Sequence, residues 1–512
     1  MQKNQLAAAT ILSLLLFPIT IWAQNEKETY EVYKKRIQSE YSNYKEKKKE
    51  DYENFRKKAN EEYAQYLIGN WELYHAFKGI IPPPTPEPIP PVVCPEEERQ
   101  KEREDEVAPV EEIIVMELPK PQPVPVVPIQ QPTPPKPSPS PVQQHPDSLS
   151  LLFYGTKISY HLASRPQFSL SGLDDYSIAK SWKNLSNGQC DGLLSQCLAL
   201  RSRLRLNDWA YILLIDKICS EVIGTSGNKT TLMMAWLYCQ SGYKMRLAHS
   251  DGQLYMLFAS DNTIYYSNFF TLEGERFYVY KDKSGKDMYI CDIIFPNERT
   301  MTLRMVDEPR MAVNMSQPRT LQSKRYPALK VQATVNRNLI DFYNDYPKGG
   351  TGHTFGCEWA MYAGVPLGED AQQKLYPQLC EALSGVGILQ AAQMLLNFVQ
   401  TAFVYEYDDK VWGGDRAFFA EETLFYPYSD CEDRSILFSR LVRDMLGLDV
   451  VLVYYPGHIA TAVRFEEEQP TGDYIQLEEG RYFIADPTYS DADIGMTMPR
   501  YKGSKLTVIR PN

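Results

Sequence analysis

One cysteine, one histidine and one aspartate in the last quarter of the chain have the types and spacing of a nucleophile, a base and an acid. Cys431 lies in the string Tyr-Ser-Asp-Cys-Glu-Asp-Arg-Ser, and His458 follows 27 residues later. Asp486 ends an apolar run near the C-terminus. A thiol can attack a carbonyl carbon when an imidazole takes its proton and a carboxylate orients that imidazole. These residue types therefore predict acyl transfer by a thiol.

The cysteine is predicted to begin a helix. Ser429 and Glu432 have the spacing of a capping box, apolar residues continue one helical face to Leu446, and Gly447 predicts the stop. A cysteine at a helix N-terminus feels the positive end of the helix dipole. We therefore expect the pKa of Cys431 to lie below its usual value of about 8.5, which would favour the reactive thiolate.

The histidine and the aspartate are predicted at the ends of strands. Residues 450–454 form a β-branched run typical of a strand, and His458 opens the next strand after a Tyr-Pro-Gly turn. A third strand ends at Asp486, which Pro487 pushes toward extended geometry. A helix followed by antiparallel strands can return the histidine to the helix start. The three side chains are therefore predicted to converge.

The strings around these residues resemble those of the bacterial transglutaminase-like cysteine proteinase family. The resemblance covers about residues 385–500, and the order and spacing of the strings agree with the family. It implies an α+β fold with a papain-like or transglutaminase-like core, in which the nucleophile lies on a helix packed against a sheet. It does not choose between water and an amine as acceptor, because the family includes peptidases, amidases and cross-linking enzymes. The strings are Asp430-Cys431-Glu432-Asp433, Gly457-His458 and Asp486-Pro487-Thr488.

An acyl-transfer site also needs hydrogen-bond donors for the oxyanion that forms on the substrate. The backbone N–H of Cys431 is the first candidate. Gln400 and Trp412 are side-chain candidates for the second donor, although residues of these types more often pack or face solvent. We expect no metal and no other cofactor, since His353 and Cys357 have ligand spacing but lack a second pair.

A second helix-strand-turn-strand pattern precedes the first by 205 residues. An alignment without a gap at this offset puts Ser226 where Cys431 stands and Gln253 where His458 stands. Glutamine cannot accept a proton at neutral pH, so this copy is predicted to be inactive. A structural or substrate-binding use would suit it. A chance likeness is the alternative, because any helix followed by a hairpin can be matched in this way.

The chain of 512 residues is too long for one ordinary core, so several parts are expected. We predict five. They are a signal peptide at 1–23, an amphipathic helix at 24–79, a proline-rich linker at 80–147, an inactive transglutaminase-like domain with a β-rich extension at 148–335, and a transglutaminase-like catalytic domain at 336–512.

The N-terminus has the features of a secretion signal. Lys3 precedes an apolar run over 6–22, and the small residue Ala23 follows it. An uncleaved membrane anchor is the alternative, because the run is close to the length that spans a bilayer. We therefore expect a periplasmic or extracellular protein. The nine cysteines are an odd number, so at least one should stay unpaired in an oxidising compartment.

Two repetitive segments follow the signal. Aromatic pairs recur every eleven residues in a polar background, which predicts a helix with a nearly straight aromatic stripe that could self-associate. The proline-rich segment predicts an extended spacer that forms no core, with a short helix over 96–106. The aromatic pairs are Tyr30 and Tyr33, Tyr41 and Tyr44, Tyr52 and Phe55, and Tyr63 and Tyr66.

The net charge of −11 argues against a nucleic-acid partner, because phosphates require a basic face. The leading expectation is an exported thiol peptidase or amidase that acts on a peptide or a cell-envelope amide. A protein cross-linking transglutaminase and a noncatalytic envelope scaffold are the alternatives.

Overall fold

The computed structural model describes residues 30–81, 92–101, 113–116, 148–162, 165–281, 285–351 and 357–511. The predicted signal peptide and most of the predicted linker lie outside them. The chain divides into two compact units, Met1–Glu62 and Tyr63–Asn512. None of the helices in the described ranges combines the length and the apolar character needed to cross a bilayer.

The first elements include one long helix and the strands of a six-stranded sheet. In chain order they are α1 (Tyr30–Tyr66), β1 (Glu72–Tyr74), β2 (Val92–Val93), α2 (Glu96–Lys101), β3 (Ile113–Met116), β4 (Ser148–Phe153), β5 (Thr156–His161), α3 (Asp175–Leu185), α4 (Asp191–Arg203), α5 (Asp208–Ile223), α6 (Asn228–Gln240), β6 (Met245–Ser250), β7 (Gln253–Ala259), β8 (Asn262–Ile264), β9 (Phe269–Leu272), β10 (Glu275–Val279) and β11 (Met288–Cys291).

The later elements contain a second six-stranded sheet. They are β12 (Arg319–Gln322), β13 (Lys330–Ala333), α7 (Arg337–Asn344), β14 (Gly349–Thr351), α8 (Cys357–Gly364), α9 (Glu369–Ala382), α10 (Ile388–Ala402), β15 (Val404–Tyr405), α11 (Asp408–Val411), α12 (Ala420–Phe425), β16 (Tyr428–Ser429), α13 (Cys431–Leu446), β17 (Val450–Tyr455), β18 (His458–Arg464), β19 (Tyr474–Leu477), β20 (Gly480–Ala485), β21 (Tyr489–Ser490), a 3₁₀ turn (Pro499–Tyr501) and β22 (Leu506–Ile509).

The helix predicted for residues 24–79 ends earlier than expected. Its last helical residue is Tyr66, and the carbonyl of Tyr66 accepts a hydrogen bond from the Asn70 side chain at 2.7 Å. Gly69 has a φ of +81°, a left-handed conformation that glycine adopts without strain and that commonly ends helices. Residues 72–74 then pair with β11 as an edge strand, so the predicted helix is wrong beyond residue 66.

The aromatic stripe of α1 faces solvent over much of its length. Tyr41, Tyr44, Tyr52 and Phe55 are all exposed. Generic self-association of this helix stays a prediction.

The two large sheets share strand order around a central hairpin. The first sheet has the order β1-β11-β6-β7-β10-β9, and the second has the order β19-β20-β18-β17-β22-β3. In each sheet a helix precedes the hairpin and packs on it, α6 on β6 and β7 and α13 on β17 and β18. The second sheet buries a core that includes Val451, Val453, Ala460 and Val508. The molecule is therefore of the α+β class, as predicted.

Four strands of each sheet also share their pairing register at a constant offset of 205 residues. Ser250 pairs with Gln253 in the first hairpin, and Tyr455 pairs with His458 in the second. The next two strands keep the offset, because Glu275 of β10 pairs with Leu272 of β9, and Gly480 of β20 pairs with Leu477 of β19. This is the offset of the ungapped sequence alignment.

The predicted boundary near residue 335 falls at the start of a helix. The side chain of Asn336 accepts a hydrogen bond from the backbone of Asn338 and caps α7. Residues on both sides of this position belong to one compact unit, and β14 pairs with β8 across it.

Two short stretches of the predicted linker are structured. β2 pairs in parallel with β21, and β3 pairs in parallel with β22 at the edge of the second sheet. Cys94 is buried in the core of that sheet. Both strands are apolar runs without proline, so their backbones can donate hydrogen bonds to a neighbouring strand. These residues therefore differ from the coreless spacer that the proline content predicts.

Candidate active site

The structure places Cys431 at the first position of α13, as predicted, although a different pair of residues caps the helix. The predicted capping box used Ser429 and Glu432. Asp430 is the N-cap instead, and the Asp433 carboxylate accepts from its backbone N–H at 3.3 Å. Asp433 accepts a further backbone hydrogen bond at 2.9 Å, from Phe418. A carboxylate thereby satisfies two backbone N–H donors at a buried helix start.

His458 and Asp486 meet through a direct hydrogen bond. The distance from His458 Nε2 to Asp486 Oδ2 is 2.8 Å, and both residues are 2 % exposed. The other oxygen of Asp486 accepts from the backbone N–H groups of Thr488 and Tyr489 at 2.8 and 3.1 Å. These contacts fix the carboxylate, which fixes the plane of the imidazole. The bond engages Nε2, so Nδ1 is the ring nitrogen left to exchange a proton with a thiol.

Aromatic rings hold the imidazole from the side. The rings of His458 and Tyr501 are stacked with centroids 5.2 Å apart, and Tyr455 stacks on Tyr501 at 5.0 Å. Both tyrosines belong to the buried core of the second sheet. The position of the imidazole is therefore set by packing as well as by the carboxylate.

The sulfur of Cys431 lies beside the same hairpin but bonds to another group. The thiol donates to Glu432 Oε2 at 3.1 Å, and the sulfur accepts from the backbone N–H of Ile459, the residue after the histidine. Within the described ranges no hydrogen bond joins Cys431 to His458. The structure therefore joins His458 and Asp486 directly and brings the Cys431 sulfur to the neighbouring amide.

The pKa of Cys431 is raised well above the usual thiol value, which overturns the sequence-based expectation. Burial raises this pKa most, and the charges of Glu432 and Asp430 raise it further. The helix dipole favours a thiolate by only about 0.3–1 kcal/mol at an exposed site, which burial and two adjacent carboxylates outweigh. At neutral pH the cysteine is a thiol.

An acidic cluster surrounds this helix start. Oxygen atoms of Asp408, Asp430 and Glu432 lie within 4.8 Å of one another, and all three residues are buried. Burial, followed by the charge of Glu432, raises the pKa of Asp408 to about 8. Oxygen-only ligands of this kind are those that hard divalent cations prefer. An acidic cluster alone does not establish an ion, so the absence of a metal stays a prediction.

Gln400, a predicted oxyanion donor, clamps the loop that carries the acid. Its side-chain nitrogen donates to the carbonyls of Asp486, Tyr489 and Ala492 at 2.8 to 3.1 Å. The amide hydrogens of Gln400 are thus bonded to backbone carbonyls. Gln400 therefore holds the loop that carries Asp486. A role in the oxyanion site stays a prediction and would require the amide to leave these carbonyls.

Trp412, the other predicted donor, lies in an aromatic group. Its ring centroid is 4.8 Å from that of Tyr426 and 5.7 Å from that of Phe418, and the Arg416 guanidinium lies 4.5 Å from the ring. These contacts hold the ring by packing and by a cation–π interaction. Its oxyanion role also stays a prediction.

Sequence reasoning missed two residues that shape the helix start. Arg434 is 1 % exposed and donates to the carbonyls of Gln400 and Phe403 at 3.2 and 3.0 Å. Asp408 comes from a separate short helix and accepts from the backbone of Arg416 at 2.6 Å. The four charged residues that flank Cys431 within 430–434 are a signal for a polar network, but the sequence does not name the distant members of that network.

The corresponding place in the first half has a different arrangement. Residues 224–227, which include Ser226, are exposed, as is Gln253. The side chain of Asn228 accepts from the backbone N–H of Leu254 at 2.9 Å and donates to the carbonyl of Gly252 at 3.0 Å. At the offset of 205, Leu254 corresponds to Ile459, whose N–H points at the sulfur in the second half. In the first half, the Asn228 side chain therefore binds the hairpin N–H that corresponds to the one directed at the thiol in the second half.

Scans of the chain against models of protein families and against curated proteins returned no match. The case for a function therefore depends on the residues and their geometry.

Proposed function

We propose that this chain is an exported thiol enzyme with a papain-like or transglutaminase-like core in its second half. In this proposal Cys431 attacks an amide carbonyl, His458 takes the thiol proton and returns it to the leaving amine, and Asp486 orients and stabilises the imidazolium. A peptidase or amidase acting on a peptide or a cell-envelope amide is the leading activity.

The buried hydrogen bond between His458 and Asp486 is the observation that carries the proposal. Burying a histidine and a carboxylate costs free energy unless they bond to each other or to other polar groups. Here both oxygens of Asp486 are engaged, and the hairpin amide next to His458 points at the Cys431 sulfur. A base held in one plane beside a thiol is what general-base catalysis requires.

The cysteine must change its state before it reacts. The thiol proton is directed at Glu432, so attack requires a movement of that proton, or of the side chains, toward His458 Nδ1. The backbone N–H of Cys431 is the first candidate donor for the oxyanion, since the first amides of a helix have no partner within the helix.

The proposal is tested by hydrolysis of a broad peptide library with the purified chain. Cleavage that Cys431→Ala abolishes and Ser226→Ala leaves intact is the expected result. Incorporation of a labelled amine in the same assay would identify a cross-linking transglutaminase. Equal cleavage by the parent chain and by Cys431→Ala would refute the assignment of the nucleophile.

A noncatalytic scaffold is the second candidate, and the raised pKa of Cys431 is the observation that favours it. An alkylating probe selective for thiolates separates the two. A scaffold predicts that peptides do not change the alkylation rate of Cys431 at pH 6, whereas an enzyme predicts that they change it.

A further inference from the structure

A cleft of about 180 Å³ opens beside the acidic cluster. Sites for drug-sized ligands measure roughly 300–1,000 Å³, so this cleft has room for about one amino-acid side chain. Its walls come from α7, the segment that joins α7 to β14, α8 and the segment that leads into α12. The residues that the argument uses are Tyr346, Lys348, Glu358, Tyr362, Arg416 and Phe419.

Glu358 supplies a carboxyl group that is half-buried and lacks a hydrogen bond or ion pair to any part of the chain that the structure describes. Burial raises its pKa to about 8, and the charges of Asp415 and Glu432 raise it further against the opposing effect of Lys348. The surroundings of this carboxyl therefore favour the uptake of a positive charge. When the cleft is empty, a proton on the Glu358 carboxyl supplies this positive charge.

The two basic residues of the cleft already have partners. Arg416 forms an ion pair with Glu422 at 2.6 Å, and Lys348 donates to the backbone carbonyl of Asp415. Lys348 acts on Glu358 only through its charge, so neither basic residue forms an ion pair with Glu358.

Aromatic rings form much of the remaining wall. Phe419 lies 4.4 Å from Tyr362 and 5.5 Å from Tyr346, measured between ring centroids. Aromatic faces attract cations and also pack against alkyl chains. A carboxyl in a cleft that aromatic rings also line suits a ligand with an apolar stem and a cationic tip.

The cleft is electrostatically linked to the nucleophile through one residue. The charge of Glu432 raises the pKa of Glu358, and the same carboxylate accepts the thiol proton of Cys431 at 3.1 Å. A cation that binds at Glu358 would therefore interact with the charge of Glu432, the carboxylate that also accepts the thiol proton.

We propose that this cleft binds the primary ammonium group of an alkylamine, with the ammonium at Glu358 and the alkyl stem against Phe419 and Tyr362. Its role as a substrate subsite rests on the proposed function. Two sources share this chemistry, a lysine-type side chain of the peptide that is cleaved and an amine that accepts the acyl group.

Binding is measured calorimetrically with the full chain carrying Cys431→Ala, so that no turnover occurs. Nα-acetyl-lysine methylamide should bind at least about tenfold more tightly than its norleucine analogue, which corresponds to about 1.4 kcal/mol. Adding Glu358→Gln should remove this preference, whereas adding Glu381→Gln on the exposed surface of α9 should keep it. Equal affinity for the two ligands, or an undiminished preference in Glu358→Gln, overturns the proposal.

The pH dependence supplies a readout that a structural role of Glu358 would not give. The carboxyl must lose its proton to pair with an ammonium, so affinity should rise between pH 7 and pH 9 and level off above its pKa of about 8. The ligand stays charged over this range, since an alkylammonium has a pKa of about 10.4. Binding at pH 7 should therefore release a proton into the buffer, and a binding reaction without proton release contradicts the pairing.

Activity assays then distinguish the two sources and separate this proposal from the enzyme proposal. Faster cleavage of lysine-containing than of norleucine-containing peptides assigns the cleft to the substrate side chain, and incorporation of labelled butylamine assigns it to the acceptor. Selective binding in a chain without any activity would support amine binding in the cleft and contradict the enzyme proposal. Activity without selective binding would support the enzyme proposal and contradict amine binding in the cleft.

Discussion

The molecule has two helix–hairpin units, α6-β6-β7 and α13-β17-β18. They have the same strand register but differ in the burial of the residues at the start of the helix. In the first unit, residues 224–227 are exposed and Asn228 clasps the hairpin turn with two hydrogen bonds. In the second unit, residues 430–434 are all buried, and the hairpin amide points at the sulfur of Cys431. The backbone arrangement therefore does not depend on the buried polar residues.

The two halves of the molecule also differ in how they compensate buried acids. Burial would raise the pKa of Asp208 in the first half, but Arg299 and Arg201 outweigh it and hold that pKa below its usual value. In the second half, burial raises the pKa values of Asp408, Asp430 and Asp433, and the charge of Glu432 raises all three further. Uncompensated buried charge costs stability. The first half builds the same register without this cost, so the register does not require the second half's cluster.

Exchange of the hairpin residue between the units tests this comparison most severely. His458→Gln installs the residue of the first unit and should lower peptide cleavage about 10²- to 10⁴-fold, the usual contribution of a general base. The reciprocal Gln253→His should create no activity, since the first unit has no thiol at the helix start. Cleavage rates of both variants, with circular dichroism as the folding control, check this expectation. Full activity in His458→Gln would remove the base from the mechanism.

Removal of one carboxylate sharpens the comparison of the helix starts. Glu432 aligns with Gly227 in the first unit, and in the second it is the largest charge effect that raises the pKa of Cys431. Glu432→Gln should lower that pKa, and each unit of decrease raises the thiolate fraction at pH 7 about tenfold. The rate of alkylation by iodoacetamide, followed from pH 6 to pH 10, measures the change. Glu381→Gln serves as the matched control on an exposed surface, and an unchanged alkylation profile in Glu432→Gln would contradict the assigned cause.

A change of pH should weaken the second half of the molecule around α12 and leave the first half around α5 unchanged. Burial raises the pKa values of Glu421 and Glu422 to about 7, so their stabilising effect is complete below about pH 4.5 and is lost as the pH rises through 7. The loss is about 1.4 kcal/mol per pH unit for each proton held only by the folded state. Asp208 has a lowered pKa, so its contribution is constant above about pH 4.

Hydrogen exchange of peptides from α12 and α5, corrected for intrinsic rates, measures this difference. Between pH 5 and pH 8 protection should fall in α12, which carries Glu421 and Glu422, and hold in α5, which carries Asp208. Parallel loss in both helices would show that the acids do not act locally.

The sequence predicted local elements better than their partners. The helix start at Cys431, the stop at Gly447 and the strand that opens at His458 all follow from residue types within a few positions, and the structure has them. The predicted pKa of Cys431 was wrong because this pKa depends on burial and on the charges of Asp430 and Glu432. These effects arise only when the folded chain encloses the helix start. A dipole argument from one helix cannot include that environment.

Long-range contacts account for the other differences. Arg434 and Asp408 act through partners about 30 and 20 residues away in the chain, so no spacing rule reaches them. The proline content of residues 80–147 predicted a spacer, yet β2 and β3 pair with strands near the C-terminus. Edge pairing of this kind depends on which sheet edge is free, and only the folded chain determines that.

The glycines that end the two helices provide the most delicate test of their equivalence. Gly242 and Gly447 occupy matching positions after α6 and α13, with φ values of +87° and +66°, where a side chain strains the backbone. Neither Cβ would meet an atom within 4 Å, so Gly242→Ala and Gly447→Ala change backbone strain alone. Each should cost about 1 kcal/mol, because alanine is disfavoured in this region by about 1–2 kcal/mol and gains part of that back in the unfolded chain. Urea unfolding of the two variants, followed by hydrogen exchange in α6 and α13, measures both costs. Equal costs are expected if the helix ends are the same device in both units, and a much larger cost at Gly447 would mean that the buried polar cluster depends on how α13 ends.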